Sequence, residues 1–449
     1  MTWRLIVDTA RLDTRLAKLG LLLTLFFFCA LPLRAQALMP CDELIWNPNA
    51  SYRLAPSEND WLFRSFDFNQ AEDLLSLSVS EDFKAFIDGL RGRDISLVIA
   101  ALPMKSVMEQ EHLDFALFEK LGVLPDIDIV GAQRNYQSAI KNFQAMGAIA
   151  PDLTLLDAEV EQFYLKRDHH WTAEAARAVA NAIAESVQQH FIANDALNTI
   201  APQRFTTYEN PKVLQQGSSA VILEEYCNIR SPLEVRSDFL TASAAPPSDL
   251  FANNQPEIVL VGTSFSHPNY NFEGFLKDAL ARDVLNLSIV GGGLFASLEH
   301  YLSSDSFLNH PAKIIVWEFP AHEPERLSLT QIRRLQGALQ ESCDSLWTEE
   351  VVVDSPNFLV VQNLQYERQA LDTIEFIFPQ QRYQQFRLAI NYHYGYREEL
   401  TITRSQRVQN HGRYRLLLHS QVEHPLESIE LTDIGNGTPV QVSYCRGPE

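Results

Sequence analysis

The sequence predicts an α/β domain with a mainly parallel sheet, followed by a smaller all-β module. Three observations carry that prediction. Between about residues 80 and 330, short β-branched runs alternate with stretches of helical periodicity, as strands and crossover helices do in a parallel sheet. From Val351 to Val442 the chain alternates apolar and polar residues at the strand period, and the composition changes between these two regimes near residue 340. With 449 residues, 46% hydrophobic and 21% charged, the chain holds apolar material for two or three domains and excludes disordered and fibrous architectures.

Taken in order, the strands of the first domain are Ile95–Ala100, Leu153–Leu156, Ile258–Val261 and Ile314–Trp317, each too short and too β-branched for a helix and apolar enough to be buried on both faces. Thr172 to His190 carries Ala176, Val179, Ile183 and Val187 at helical spacing, with Thr172 as the N-cap. The stretch 201–255 reads as less regular, with Ser243–Ser248 a loop. In the second unit, Phe358–Val361, Tyr383–Tyr392, Tyr414–Leu418, Ile429–Leu431 and Val440–Val442 are the strands of a β-sandwich of about 100 residues. The expected division is 1–37, 38–340 and 341–449.

Residues 1–37 place Arg4, Arg11, Arg15 and Lys18 ahead of an apolar run, Leu19 to Leu33, that ends at Ala35-Gln36-Ala37. The run is shorter than the ~20 residues that span a bilayer, so it reads as a cleavable secretory signal peptide, with an uncleaved signal anchor as the alternative. Either way, the body of the protein is expected outside the cytoplasm. Cleavage would remove five basic and two acidic residues and deepen the charge from −21 to −24. That balance, with no basic run beyond residue 34 and no Gly-rich phosphate loop, argues against a nucleic-acid partner and against a basic membrane-surface patch. Four cysteines remain after cleavage, an even number suited to an oxidising compartment. Three pairings are open, and positions near the ends of the two units favour Cys41–Cys227 and Cys343–Cys445. No C-x-x-C or His-Cys spacing points to a metal.

Two segments could carry chemistry. Gly262-Thr263-Ser264-Phe265-Ser266 directly follows a strand, at the carboxyl edge where open α/β sheets place their sites, and Gly262 allows a tight turn there. Read alone, it is also an ordinary strand-to-helix loop with Ser264 or Ser266 as an N-cap. Arg167-Asp168-His169-His170-Trp171-Thr172 precedes a helix. A serine hydroxyl needs a base, and an imidazole serves best when a carboxylate fixes its tautomer; Asp168 and His170 can supply that pair from one loop. Read alone, Asp168 is a helix-start residue and His170 a hydrogen-bonded histidine, while a metal held by His169 and His170 lacks a third ligand. Together, the two segments are what a serine acyl-transfer site requires.

The motifs D-x-H-W-T and G-T-S-F-S, with Asn271–Leu276, Val316–Pro320 and an opening Asn59-Asp60-Trp61-Leu62-Phe63-Arg64, resemble the alginate acetyltransferases of the AlgX and AlgJ group over nearly the whole chain beyond residue 37. The resemblance implies an SGNH hydrolase-like domain with Asp168, His170 and Ser264 as its triad. The C-terminal module and the four cysteines place it nearer the AlgX branch, where such a module is carbohydrate-binding. It also implies a periplasmic O-acetyltransferase acting on polymannuronate during alginate export. No soluble cofactor is expected: no coenzyme A motif is readable, so the acetyl group would come through an acetyl-donating membrane acyltransferase, alongside other periplasmic export proteins. Oxyanion donors would be the Ser264 amide with Gly292 or Gly293. Substrate contacts would fall to Tyr270, standing where relatives carry a tryptophan, and to Asn271. On the β-module they would fall to Arg382, Arg387, Arg397 and Arg404 among Tyr383, Tyr392, Tyr394 and Tyr396, unless these tyrosines are core. A polysaccharide acetyl esterase would need the same triad, and a non-catalytic export scaffold would have lost a member of it.

Overall fold

The computed structural model describes residues 54–116, 127–191, 200–244, 256–322, 328–340, 343–353, 357–362, 371–379, 384–408, 412–418, 422, 424–435 and 437–447. The leader 1–37, Cys41, the loop after Ala244, Arg382 and Tyr383 lie outside the described residues. In chain order, the first unit contains β1 (Leu54–Pro56), β2 (Leu62–Arg64), α1 (Glu72–Ser78), α2 (Glu81–Arg91), β3 (Ser96–Leu102), α3 (Lys105–Met108), α4 (Ile129–Met146) and α5 (Ala173–Phe191). It continues through β4 (Phe205–Gln215), α6 (Ser218–Cys227), β5 (Glu234–Ser243), β6 (Ile258–Val261), α7 (Phe272–Leu280), β7 (Leu285–Asn286), α8 (Ala296–Leu302), α9 (Asp305–Asn309), β8 (Ile314–Pro320) and α10 (Leu329–Ala338).

The central sheet runs β3-β8-β6-β7 with every pairing parallel. Its strands alternate between two cores, as the period of a pleated strand requires. Leu97, Ile99, Val261, Ile315 and Trp317 face α1, α2 and α4, whereas Val98, Ala100, Leu260, Ile314 and Val316 face α5 and α7. Helix α5 follows the expected spacing: Ala176, Val179, Ile183 and Val187 are fully buried, and the Thr172 hydroxyl accepts the Ala175 N–H at 3.1 Å.

Two expectations fail. Leu153–Leu156 is not a strand but part of a 3-10 turn, Leu153–Ala158. The Asp152 carboxylate accepts both the Thr154 N–H and hydroxyl, which bends the chain at its start, and Leu153 and Leu156 are buried three residues apart. Beyond its pairing with β8, β3 makes one isolated parallel bridge, Val98 with Ile149, four residues before Leu153. The stretch from 201 is also more regular than expected, since β4 and β5 form a long antiparallel hairpin with α6 between them.

The second unit comprises β9 (Asp344–Val353), β10 (Asn357–Gln362), β11 (Thr373–Ile377), β12 (Gln385–Tyr392), β13 (Arg397–Thr403), β14 (Arg413–Leu417), β15 (Leu426–Thr432) and β16 (Thr438–Arg446). Two antiparallel sheets, β10-β15-β12-β13 and β14-β11-β16-β9, enclose one apolar core, so the module is a β-sandwich. The Cys343–Cys445 disulfide is present, with Cα atoms 4.9 Å apart, and joins the approach to β9 to the end of β16. Cys227 is also disulfide-bonded.

Helix α10 joins the units. Its Arg333 donates to Leu417 O at 2.7 Å and pairs with Glu398, while Arg334 and Arg404 share Glu299. Arg404 is therefore a buried seam residue, stacked 4.0 Å from the Tyr414 ring centroid, and not the polymer-facing cation that its sequence position among tyrosines predicts. Arg397 is held by Glu430 and Glu399, Arg387 pairs with Asp433, and Tyr392 is core. Tyr394 is 89% exposed, at a backbone φ of 71°, with its ring edge-on to His424.

Candidate active site

Three carboxyl ends of the parallel sheet build the site: β3 leads into Lys105, β6 into Gly262–Ser266, and β8 delivers Glu318. The β6 turn is sharp because Gly262 has no side chain. A Cβ there would lie 2.5 Å from the Glu318 carboxylate and 3.0 Å from the Ser266 hydroxyl. Glu318 is fully buried and holds the turn by three hydrogen bonds, accepting from Thr263 N–H (2.9 Å), the Thr263 hydroxyl (2.9 Å) and the Ser266 hydroxyl (2.7 Å). With Ser266 tied down and the Thr263 hydroxyl capping Phe265 N–H, the Ser264 hydroxyl is not a cap.

That hydroxyl instead lies 2.8 Å from His170 Nε2, and His170 Nδ1 lies 2.7 Å from Asp168 Oδ1. The structure thus brings Ser264 to an Asp168–His170 pair that lies nearly a hundred residues earlier in the sequence. The segment carrying Asp168 and His170 is clasped at both ends. Tyr164 bridges to Trp171, Leu165 N–H donates to His170 O, and the Trp171 indole donates to Phe265 O at 3.0 Å, which ties this loop to the Ser264 turn. Tyr270 stacks on the His170 ring at 5.2 Å and 27°, and burial pushes its phenol pKa upward. Asn271 does not face a substrate with its amide: Nδ2 donates to the Thr241 hydroxyl at 2.9 Å, and the residue starts α7 in the left-handed region.

Lys105 was not legible as a site residue. Its buried ammonium donates to Leu62 O, Leu165 O, Lys166 O and Asp168 O at 2.7–3.0 Å, so it gathers β2 and the Asp168–His170 loop around one charge. Burial lowers its pKa to about 8 against the pull of Asp67 and Glu109. Glu234 on β5 accepts the Lys166 and Arg167 amides, which orients the same loop from the other side. The one signal in the sequence was a lysine placed just past the end of a buried strand.

Asp168 itself is 5% exposed. Burial works to raise its pKa, but hydrogen bonds from His169 and His170 hold it well below the ordinary carboxylate range, so it stays an anion. Its Oδ2 accepts Ser218 N–H at 2.9 Å and its Oδ1 accepts the Ser218 hydroxyl at 2.6 Å, at the start of α6. Gly217 allows that approach, since a Cβ there would sit 2.1 Å from Arg167 O. Asp168, His169 and His170 lie close enough to hold a cation together, but both ring nitrogens of His170 and Nδ1 of His169 already face hydrogen-bond partners.

Of the two glycines offered as oxyanion donors, Gly292 spends its N–H on Ile289 O at 3.0 Å, closing a turn. The strand-end loop that carries Gly292 and Gly293 is anchored to the Ser264 turn, because Ile289 N–H donates to Gly262 O at 3.0 Å and Asn286 Nδ2 to Ser266 O at 2.9 Å. Among the described residues, no helix is long and apolar enough to cross a membrane.

A family model described as SGNH hydrolase-like domain, acetyltransferase AlgX, matches residues 54–321. The alginate biosynthesis protein AlgX of Pseudomonas aeruginosa is 28% identical over 416 residues, spanning 88% of this chain and 84% of that protein. The AlgX of Azotobacter vinelandii is 34% identical over 270 residues, which is 59% of this chain and about half, 53%, of that relative. Among solved structures, Pseudomonas aeruginosa AlgX superposes with a TM-score of 0.73 at 26% identity, covering 88% of this chain and 95% of the other. The O-acetyltransferase domain of Pseudomonas putida AlgJ gives 0.50 at 26% identity, covering 62% and 94%. The matched segment contains every residue of the Ser264–His170–Asp168 chain and the sheet that presents it, and this chain belongs to the SGNH hydrolase-like AlgX acetyltransferase family.

Proposed function

We propose that this protein is an O-acetyltransferase that carries an acetyl group on Ser264 and delivers it to hydroxyls of mannuronate residues in alginate, outside the cytoplasm. The observation that carries this reading is the continuous hydrogen-bonded line from Ser264 Oγ through His170 to Asp168, at 2.8 and 2.7 Å. In the first half-reaction Ser264 Oγ attacks the acetyl carbonyl while His170 Nε2 takes its proton, and the resulting imidazolium is stabilised by the Asp168 carboxylate. Collapse of the tetrahedral adduct breaks the bond to the donor group, which leaves with the proton from His170. In the second half-reaction His170 Nε2 takes the proton of the sugar hydroxyl, the hydroxyl oxygen attacks the acetyl-serine, and Ser264 leaves reprotonated.

The tetrahedral oxyanion needs N–H donors that are free to turn to it. The Ser264 amide and Gly293 are the candidates, because Gly292 is engaged in its turn. The acetyl group is delivered by a membrane acyltransferase partner, and the protein works in the periplasm with other export proteins; the leader-like N-terminus and the lack of a coenzyme A motif support this. The β-sandwich acts as a carbohydrate-binding module, with the exposed Tyr394 as a contact for the polymer and Arg382 as a second contact that the sequence alone suggests.

The test is mass spectrometry of mannuronate oligomers incubated with the protein and a chromogenic acetyl ester, beside Ser264→Ala. Oligomers that gain acetyl mass with wild type alone support transfer through Ser264. Acetate release without oligomer modification favours the esterase, and inertness of both proteins toward ester and oligomer rejects a competent site.

A further inference from the structure

The proposed triad leaves a second layer of contacts unused. Ser218, the first residue of α6, makes four contacts to three side chains. Its N–H and its hydroxyl reach the two oxygens of Asp168, its Oγ lies 2.8 Å from an Arg64 guanidinium nitrogen, and it lies 2.7 Å from His169 Nδ1. Arg64 comes from β2 and also donates to the Ser219 hydroxyl at 3.0 Å.

Proton counting constrains this cluster. A guanidinium only donates, so Ser218 Oγ accepts from Arg64 and has one proton left to give. Asp168 is an anion and only accepts. The 2.6 Å contact to Asp168 Oδ1 is the shortest the hydroxyl makes and ends on a charged acceptor, so that proton goes there. His169 must then present Nδ1–H toward Ser218 and Asp168, which leaves its Nε2 unprotonated in the neutral ring. Burial and the neighbouring His170 push the His169 pKa down to about 3, in keeping with a neutral ring. Two adjacent histidines therefore donate into one carboxylate-serine end, yet only His170 has its other nitrogen on Ser264.

We propose that Ser218, oriented by Arg64, is a positioning residue of the acyl-transfer site. It shares the Asp168 carboxylate with His170 and so sets both the tautomer and the basicity of the catalytic imidazole. The inference rests on the acyl-transfer reading above. The charged and titratable groups around His170 are Asp168 and His169 on its own loop, Tyr270 stacked on its ring, and Arg64 from β2. Lys105 from α3 acts through Asp168 O, Glu234 on β5 through the Lys166 and Arg167 amides, and Arg236 on β5 lies over the Tyr270 ring. None of the last three touches the carboxylate oxygens that Ser218 holds.

Ser218→Ala removes the hydroxyl and keeps the backbone N–H on Asp168 Oδ2. With one donor fewer, the carboxylate attracts the imidazolium more strongly, and the acid limb of the pH–rate profile moves to higher pH. For acetyl release from a chromogenic ester by the full-length protein, Ser218→Ala is expected to lower kcat by about 10- to 100-fold with KM unchanged. The acid midpoint should rise by about 0.5 to 1 pH unit. Ser218→Thr, which retains a hydroxyl, restores both. A Ser218→Ala variant with wild-type kcat and an unmoved acid limb overturns the inference. So does equal impairment of Ala and Thr variants with a lowered Tm, which would mark a packing role. The two readings separate through Ser264→Ala: if that variant keeps the wild-type rate, the acyl-transfer reading itself fails.

Discussion

Glu318→Ala is the sharpest perturbation of the Ser264 turn, because it removes no atom of the proposed triad. The substitution strips acceptors from Thr263 N–H, the Thr263 hydroxyl and the Ser266 hydroxyl, all buried. Leaving a buried donor unsatisfied costs about 1–3 kcal/mol, so three such losses, partly relieved by water entering the vacated space, amount to about 3–6 kcal/mol. For a unit of this size each kcal/mol lowers Tm by about 2–4 °C, which makes a fall of about 10 °C the expected result. Glu318→Gln is milder. Its amide oxygen can serve Thr263 N–H and Ser266, and its NH2 can donate to Thr263 Oγ1, at a cost of about 1–2 kcal/mol. The assay pairs thermal unfolding with the rate of acetyl-enzyme formation, measured well below both transitions. The expected acylation rate falls by about 100-fold for Ala and less than about 10-fold for Gln, since a 1 Å drift of Ser264 Oγ breaks its 2.8 Å contact with His170. An Ala variant that loses stability but acylates at the wild-type rate would refute the claim that Glu318 positions the nucleophile.

Gly217→Ala places a methyl 2.1 Å from Arg167 O, so α6 must shift away from Asp168; activity should fall by at least about 10-fold and stability by about 1–3 kcal/mol, and a fully active variant would contradict the packing. Glu109 accepts Tyr164 N–H at 2.7 Å, and burial raises its pKa from 4.5 to about 8. The folded state therefore holds an extra proton between those values, and this group's contribution to stability declines as pH rises through that window. Glu109→Gln, which keeps the acceptor, should gain Tm relative to wild type between pH 5 and pH 8; parallel curves would exclude the assignment. Replacing both Cys343 and Cys445 by serine opens a loop with a sequence separation of 102, worth about 2–5 kcal/mol. The β-module should then melt earlier while ester cleavage by the first unit persists, read by calorimetry beside the acetyl-release assay.

Much of this molecule was legible before any coordinates. Three central strands were legible because a strand buried on both faces is apolar at every position, as Ile258–Val261 and Ile314–Trp317 are. Helix α5 was legible through its cap and its buried stripe, and the sandwich through its alternation. Leu153–Leu156 misled because apolarity alone does not separate a strand from a tight turn whose polar cap, Asp152, lies just outside the run. The seam arginines misled for a related reason. Arg404 sits among tyrosines in the chain, but its partner Glu299 is over a hundred residues away, and the packing of α10 on β13 and β14 brings the two units together.

The sequence by itself determined which residue types could perform acyl transfer: a serine after a strand-end glycine, and an Asp-x-His before a helix. These are local facts, set by turn geometry and by the chemistry of each side chain. Only the tertiary structure decided that Ser264 and His170 meet at 2.8 Å, that Glu318 and Lys105 brace the two loops, and that Ser218 and Arg64 sit behind Asp168. Those contacts join segments from different strand ends, and their partners are chosen by which buried donors and acceptors the folded core leaves facing one another.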